Sequence, residues 1–136
     1  MRFKYSTTHP EQDIFDSLPR IPLLLKSNKY SIEAAGLVDS GATVNVLPFS
    51  LGKQLGFRWD DQKATIRLAG NMLKSFAIPV LVQAKLANYP EITLAFAWIP
   101  NDEATLILGQ TNFFSLFEVC FFRQDWEFEI TPRQKA

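Results

Sequence analysis

The order of apolar and polar positions predicts strands along most of the chain. Residues 20–39, RIPLLLKSNKYSIEAAGLVD, contain two runs rich in Leu, Ile, Tyr and Val that are separated by Ser-Asn-Lys, the pattern of a hairpin. Residues 91–99, EITLAFAWI, alternate large and small side chains with period two, as a strand does. Residues 118–130, EVCFFRQDWEFEI, predict a further hairpin near the end of the chain.

A short strand and a helix are predicted next to each other. Residues 43–48, TVNVLP, indicate a strand that stops at its proline. Residues 48–57, PFSLGKQLGF, predict a helix, because Leu51 and Leu55 are spaced i, i+4 and Gly56 suits its C-terminal end.

The remaining segments complete the predicted fold. Residues 64–86 contain two extended runs on either side of a turn at Gly70-Asn71, where a tight hairpin needs positive φ. TLILG, residues 105–109, predicts a short strand, and QTNFFSLF, residues 110–117, one or two helical turns. These patterns together predict one all-β domain with one or two short helices.

Charge and hydropathy exclude some classes of partner. The chain has 14 basic and 14 acidic residues, scattered along it, so we expect no nucleic-acid partner. No apolar run approaches the roughly 20 residues that span a bilayer, and the first residues lack the apolar core of a secretory signal. The expectation is a cytoplasmic protein without a membrane partner.

The chain contains few cysteine and histidine side chains, which are common metal ligands and nucleophiles. One cysteine, Cys120, and one histidine, His9, exclude an internal disulfide and a zinc cluster, so no metal and no cofactor are expected. Cys120 lies within EVCFF, which favours a buried, inert thiol. His9 lies in a polar segment and is expected at the surface. The acidic pairs Asp60-Asp61 and Asp102-Glu103 are interpreted as loop residues.

The segment GLVDSGATVNVLP, residues 36–48, places a carboxylate at the end of an apolar strand. A buried carboxylate is costly unless it is paired or well hydrogen-bonded, which indicates a function for Asp39. Gly41 permits a close approach that a side chain would block. The alternative is an ordinary Asp-Ser-Gly turn at the surface, and the tripeptide alone leaves both interpretations open.

LVDSGAT, the apolar VNVLP that follows it and the later LILGQ together resemble the retropepsin-type aspartic proteases, including single-domain bacterial aspartyl proteases. The resemblance implies a closed β-barrel or sandwich, one lobe of the acid protease fold, that is active as a homodimer. It implies that Asp39 is catalytic, and it assigns the other site residues as follows: active-site loop, Ser40, Gly41 and Ala42; loop support, Leu108, Gly109 and Gln110; flap and substrate binding, Leu68, Ala69, Gly70, Asn71 and Met72.

The resemblance covers residues 20–131 and implies that they form the protease domain. Residues 1–19 form an N-terminal extension, expected as an edge strand or a dimer contact, and residues 132–136 form a C-terminal tail. Gln110 departs from the family pattern, since many members carry Arg there, and the flap contains one glycine where viral flaps usually contain more.

The implied activity is hydrolysis of peptide bonds by a water held between two aspartates. Two carboxylates that share one proton are needed, and the chain has a single Asp-Ser/Thr-Gly, so the second must be Asp39 of another copy. The expected partners are this second copy and a peptide or protein substrate. The alternative is a catalytically inactive dimer of the same fold that serves as a peptide-binding or assembly module.

Overall fold

A computed structural model describes residues 1–68 and 76–133, apart from the side chains of Pro10, Asp13 and Ile14. The strands within these ranges are β1 (Arg2–Lys4), β2 (Arg20–Ser27), β3 (Tyr30–Val38), β4 (Asn45–Leu47), β5 (Ile66–Arg67), β6 (Phe76–Lys85), β7 (Ile92–Trp98), β8 (Ile107–Leu108), β9 (Phe117–Phe122) and β10 (Glu127–Pro132). The helices are α1 (Phe49–Gln54), α2 (Phe113–Leu116) and three 3-10 turns at Pro10–Phe15, Asp61–Lys63 and Arg123–Asp125.

Six strands close into a barrel in the order β2-β3-β8-β4-β7-β6. Closure comes from β6, which pairs antiparallel with β7 along its length and also with β2, where Leu25 lies opposite Ala84. β5 extends the sheet beyond β6. The sequence-based prediction of an all-β fold with two short helices is therefore confirmed, and so is the hairpin of β2 and β3, which turns at Asn28 with a φ of 52°.

A separate three-stranded sheet joins the two ends of the chain in the order β1-β10-β9. β9 and β10 form the predicted antiparallel hairpin, and β1 is the edge strand beside β10, with Phe3 opposite Phe128. Phe128 and Ile130 are buried, and the ring of Phe3 stacks on Phe128 at a centroid distance of 5.5 Å. Residues near the N-terminus thus pack against the last strand.

The structure contains both the predicted strand with alternating large and small side chains, β7, and the predicted helix α1. Leu94, Phe96 and Trp98 are buried as expected from the alternation. α1 lies directly on Trp98, because Gly52 leaves room for the indole: a Cβ at Gly52 would lie 2.1 Å from its Nε1. Gly56 follows this helix with a φ of 89°, in agreement with its predicted role as the stop.

The prediction of a buried thiol at Cys120 is wrong. Cys120 is exposed, because β9 turns Phe117 toward the core and Cys120 to the opposite face, across from Glu129. The burial of the phenylalanines around it does not follow this alternation. Their burial is as follows: Phe113 and Phe117 buried, Phe114 and Phe122 half-buried, Phe121 exposed.

Within the described ranges, none of the helices combines the length and the apolar character that crossing a bilayer requires.

Candidate active site

Asp39 lies where the barrel strand β3 ends. The last two residues of β3 run parallel to β8, with Val38 opposite Leu108, and the backbone N–H of Asp39 donates to the Leu108 carbonyl at 3.0 Å. Val38 and Leu108 are both buried. The carboxylate therefore emerges from two paired core strands, a rigid base for a loop that bears a functional group.

The loop turns tightly around the Asp39 carboxylate. Oδ1 accepts a hydrogen bond from the Gly41 N–H at 2.9 Å, and the N–H of Ala42 donates to the Asp39 carbonyl at 3.2 Å. A Cβ at Gly41 would lie 3.2 Å from Oδ1, a tight contact. Asp39 is half-buried and Ser40 is exposed, so the carboxylate is oriented by the backbone and remains open to solvent.

A second segment, residues 108–111, runs along this loop and is bonded to it at several points. The N–H groups of Gln110 and Thr111 donate to the carbonyls of Ala42 and Thr43 at 2.9 and 2.8 Å. The side-chain amide of Gln110 also donates to the Ser40 carbonyl at 2.5 Å. Gln110 thus supports the loop through a hydrogen bond between uncharged groups.

Gly109 is the point of closest approach between the two segments. A Cβ there would lie 2.4 Å from the Val44 carbonyl oxygen and 2.9 Å from that of Ala42, which no side chain can satisfy. The resemblance implied that Leu108, Gly109 and Gln110 support the loop, and these residues do lie against it. The structure therefore brings together Asp39, the loop residues 40–42 and the support residues 108–110.

Two asparagines beneath the loop were missed by the sequence analysis. Asn45 is fully buried; its Nδ2 donates to the Ala95 carbonyl at 3.0 Å and to Oδ1 of Asn112 at 3.1 Å, and its Oδ1 accepts from the Gly109 N–H at 2.8 Å. The signal was the asparagine inside the apolar run TVNVLP. A buried amide needs hydrogen-bond partners, but their positions in the chain are not apparent from the sequence.

The predicted flap is described in part. β5 and β6 pair antiparallel, with Ile66 opposite Ala77, so the two arms of the predicted hairpin are adjacent. Leu68 is half-buried and packs against a small apolar cluster that includes Val46. The other predicted flap residues lie outside the described residues; they are Ala69, Gly70, Asn71 and Met72.

An apolar cavity of about 240 Å³ adjoins the candidate site. It is lined by Val44, Ile66, Pro79, Val80, Leu81, Ala95, Phe96, Ala97 and Thr111. Val44 directly follows the Asp39 loop, and Thr111 belongs to the segment that supports it. The lining suits an apolar side chain, since ligand pockets are predominantly apolar with few polar groups.

Other chemistry-bearing residues lie outside this arrangement. The His9 side chain is 62% exposed, as expected for a surface residue. Asp60 caps a 3-10 turn by accepting from the Gln62 N–H, and Asp61 accepts from the Trp59 indole at 2.6 Å. Across residues 1–68 and 76–133, no group of three or more His, Cys, Asp or Glu side chains is placed to hold a metal ion.

No protein-family model matches the chain, and no curated protein matches it.

Proposed function

We propose that the chain is a homodimeric aspartic endopeptidase in which each copy contributes Asp39. The observation that carries this proposal is the Asp39 loop itself: a carboxylate at the end of a core strand, oriented by the Gly41 N–H and held from beneath by a glycine-containing strand. A surface Asp-Ser-Gly turn has no need of the three backbone hydrogen bonds that join this loop to residues 108–111.

The chemistry requires a second aspartate close to the first. Two carboxylates about 3 Å apart share one proton, because like charges at that distance cannot both be ionised. The sequence has one Asp followed by Ser or Thr and then Gly, so the proposal places Asp39 of a second copy opposite the first across a two-fold axis.

In the proposed reaction the ionised carboxylate accepts a proton from a water molecule that attacks the peptide carbonyl carbon. The protonated carboxyl donates its proton to the carbonyl oxygen, which gives a neutral gem-diol intermediate. As the C–N bond breaks, a proton passes to the departing amine, and the products are a carboxylic acid and an amine. The shared proton belongs to the pair of aspartates rather than to one of them.

The proposed substrate is an extended peptide with an apolar side chain. The cavity of about 240 Å³ beside Val44 and Thr111 is an apolar recess of about the size of one side chain, close to the loop. Main-chain hydrogen bonds to an extended substrate would supply much of the affinity. Gln110 would keep the loop in place without an ion pair.

The test is cleavage of a diverse peptide mixture across pH 3 to 8, read by mass spectrometry, with Asp39→Asn beside the wild type. Asp125→Asn is the matched control, since Asp125 is an exposed aspartate in a 3-10 turn of the terminal hairpin. We expect new cuts with the wild type and with Asp125→Asn, and none with Asp39→Asn. Cuts that persist in Asp39→Asn would exclude this mechanism.

Mixing the wild type with Asp39→Asn tests whether the two aspartates come from different copies. If the chains exchange freely between dimers, about a quarter of the dimers in an equal mixture are wild type in both copies. The activity should then be about a quarter of the activity of wild type alone at the same total protein concentration. A chain that acts alone retains about half. Absence of Asp39-dependent cuts in a folded, dimeric sample would favour the peptide-binding or assembly module instead.

A further inference from the structure

Asn112, at the start of α2, has a strained backbone. Its φ and ψ are 77° and −63°, and the N–H of Phe113 donates to the Thr111 carbonyl at 3.1 Å, which together define a γ-turn of the rare, strained hand. Such conformations persist where the surrounding structure over-determines them, and they concentrate at functional sites. The strain lies three residues beyond Gly109.

The side chain of Asn112 is held from two directions. Its Oδ1 accepts from the Ala95 N–H at 2.9 Å and from Asn45 Nδ2 at 3.1 Å, while its Nδ2 donates to the Thr93 carbonyl at a longer 3.4 Å. Asn45 in turn accepts from the Gly109 N–H. The two amides thus link β7, the strained turn and the support segment in one continuous network.

This network includes the N–H of Gly109, and the two neighbours of Gly109 are bonded to both ends of the Asp39 loop. On one side the Leu108 carbonyl accepts from the Asp39 N–H, and on the other the Gln110 N–H donates to the Ala42 carbonyl. We propose that Asn45 and Asn112 are positioning residues that fix the Asp39 carboxylate through Gly109. The consequence for catalysis rests on the proposed function; the effect on the loop does not.

This amide pair, in which Asn45 is buried and Asn112 half-buried, suits the role better than apolar residues would. Apolar side chains of similar volume could fill the space, but they would leave the Gly109 N–H and the Ala95 N–H and carbonyl without these partners. Hydrogen bonds also fix direction as well as distance. In enzymes, misplacement of a reacting group by about 1 Å can lower the rate about 100-fold.

The first test compares two substitutions at one position. Asn112→Gly removes the acceptor but accepts the positive φ without strain, so the fold is retained. Asn112→Asp keeps the acceptor for both donors and loses the 3.4 Å bond to Thr93. We expect kcat to fall at least about tenfold in Asn112→Gly with little change in KM, and to recover to within about threefold of wild type in Asn112→Asp.

A second pair separates positioning from stability. Asn45→Leu removes every hydrogen bond of that side chain, and Val82→Ala, which shortens a buried apolar side chain of β6 and removes no side-chain hydrogen bond, serves as the control for a general loss of stability. Amide hydrogen exchange measures the loop directly. We expect faster exchange at the amides of Asp39, Gly109 and Gln110 in Asn45→Leu, and wild-type exchange there in Val82→Ala.

The two readouts distinguish failure of this inference from failure of the proposed function. If the wild type cleaves peptides and Asn45→Leu keeps the kcat of Val82→Ala, the positioning role is excluded. If the wild type shows no Asp39-dependent cleavage, the proposed function fails. Amide hydrogen exchange is then the remaining test of the positioning role. Faster exchange confined to the loop in Asn45→Leu and Asn112→Gly supports that role, and unchanged exchange overturns it.

Discussion

Gly109 is the residue on which the geometry of the candidate site depends most. The carbonyl of Leu108 before it and the N–H of Gln110 after it are both hydrogen-bonded to the Asp39 loop. Its own N–H donates to the side chain of Asn45. A hydrogen atom in place of a side chain lets the backbone approach the carbonyls of Ala42 and Val44. In the sequence, Gly109 appears only as a single glycine at the end of an apolar strand.

We predict that Gly109→Ala destabilises the protein by about 1–3 kcal/mol, because the added Cβ would lie 2.4 Å from a backbone oxygen that cannot move freely. Gly41→Ala is the matched change in the facing loop. Its Cβ would lie 3.2 Å from the Asp39 Oδ1, so the cost should be smaller. Urea denaturation measures both free energies of unfolding. Equal stabilities for Gly109→Ala and wild type would contradict the close approach described here.

The regular elements were largely predictable from the sequence, and the contacts between distant segments were not. β7 and the hairpin of β2 and β3 have local signals in the period of apolar residues and in turn chemistry. The bond from Gly109 to Asn45 spans 64 residues and has no local signal. Cys120 was misassigned because its face of FEVCFF also carries Phe122, so Glu118 was the single sign that this face points outward.

An ion pair between the buried Asp16 and the half-buried Arg20 helps to connect the N-terminal segment to the barrel. Asp16 accepts from the backbone N–H groups of Thr8 and His9 and pairs with the Arg20 guanidinium at 3.0 Å, at the start of β2. The His9 N–H bond, opposed by burial and helped by Thr8 and Arg20, lowers the pKa of Asp16 from 3.8 to about 2. The pairing therefore stabilises the fold while Asp16 is ionised.

This pKa predicts how Asp16→Asn changes stability with pH. Because the folded-state pKa is about 2 and the usual value is 3.8, the contribution of the carboxylate is complete above about pH 4 and is lost as the pH falls through 2. Asp16→Asn should lower the melting temperature at pH 7, and the difference from wild type should shrink between pH 4 and pH 2. A difference that stays constant from pH 7 to pH 2 would contradict a carboxylate with a lowered pKa.

At the scale of the whole molecule, one chain forms the complete barrel but supplies only one of the two carboxylates that the proposed reaction needs. The six barrel strands close on themselves, and the terminal sheet pairs the ends of the same chain. Asp39 supplies one carboxylate, while the proposed reaction needs two that share a proton. The proposed function therefore requires a particular dimer, in which two copies bring their Asp39 residues together at the symmetry axis.

That placement can be tested without measuring activity. In a Cys120→Ser background, which removes the chain's single, exposed cysteine, Asp39→Cys should be joined to its counterpart in a second copy by a short bifunctional thiol reagent. Asp125→Cys in the same background is the control for random collision. Covalent dimer that forms at residue 39 alone, with a yield that follows the dimer fraction from sedimentation, supports an axis through the candidate site. A dimer in solution that is never joined at residue 39 would show that the copies meet elsewhere, and two Asp39 carboxylates could then not share a proton.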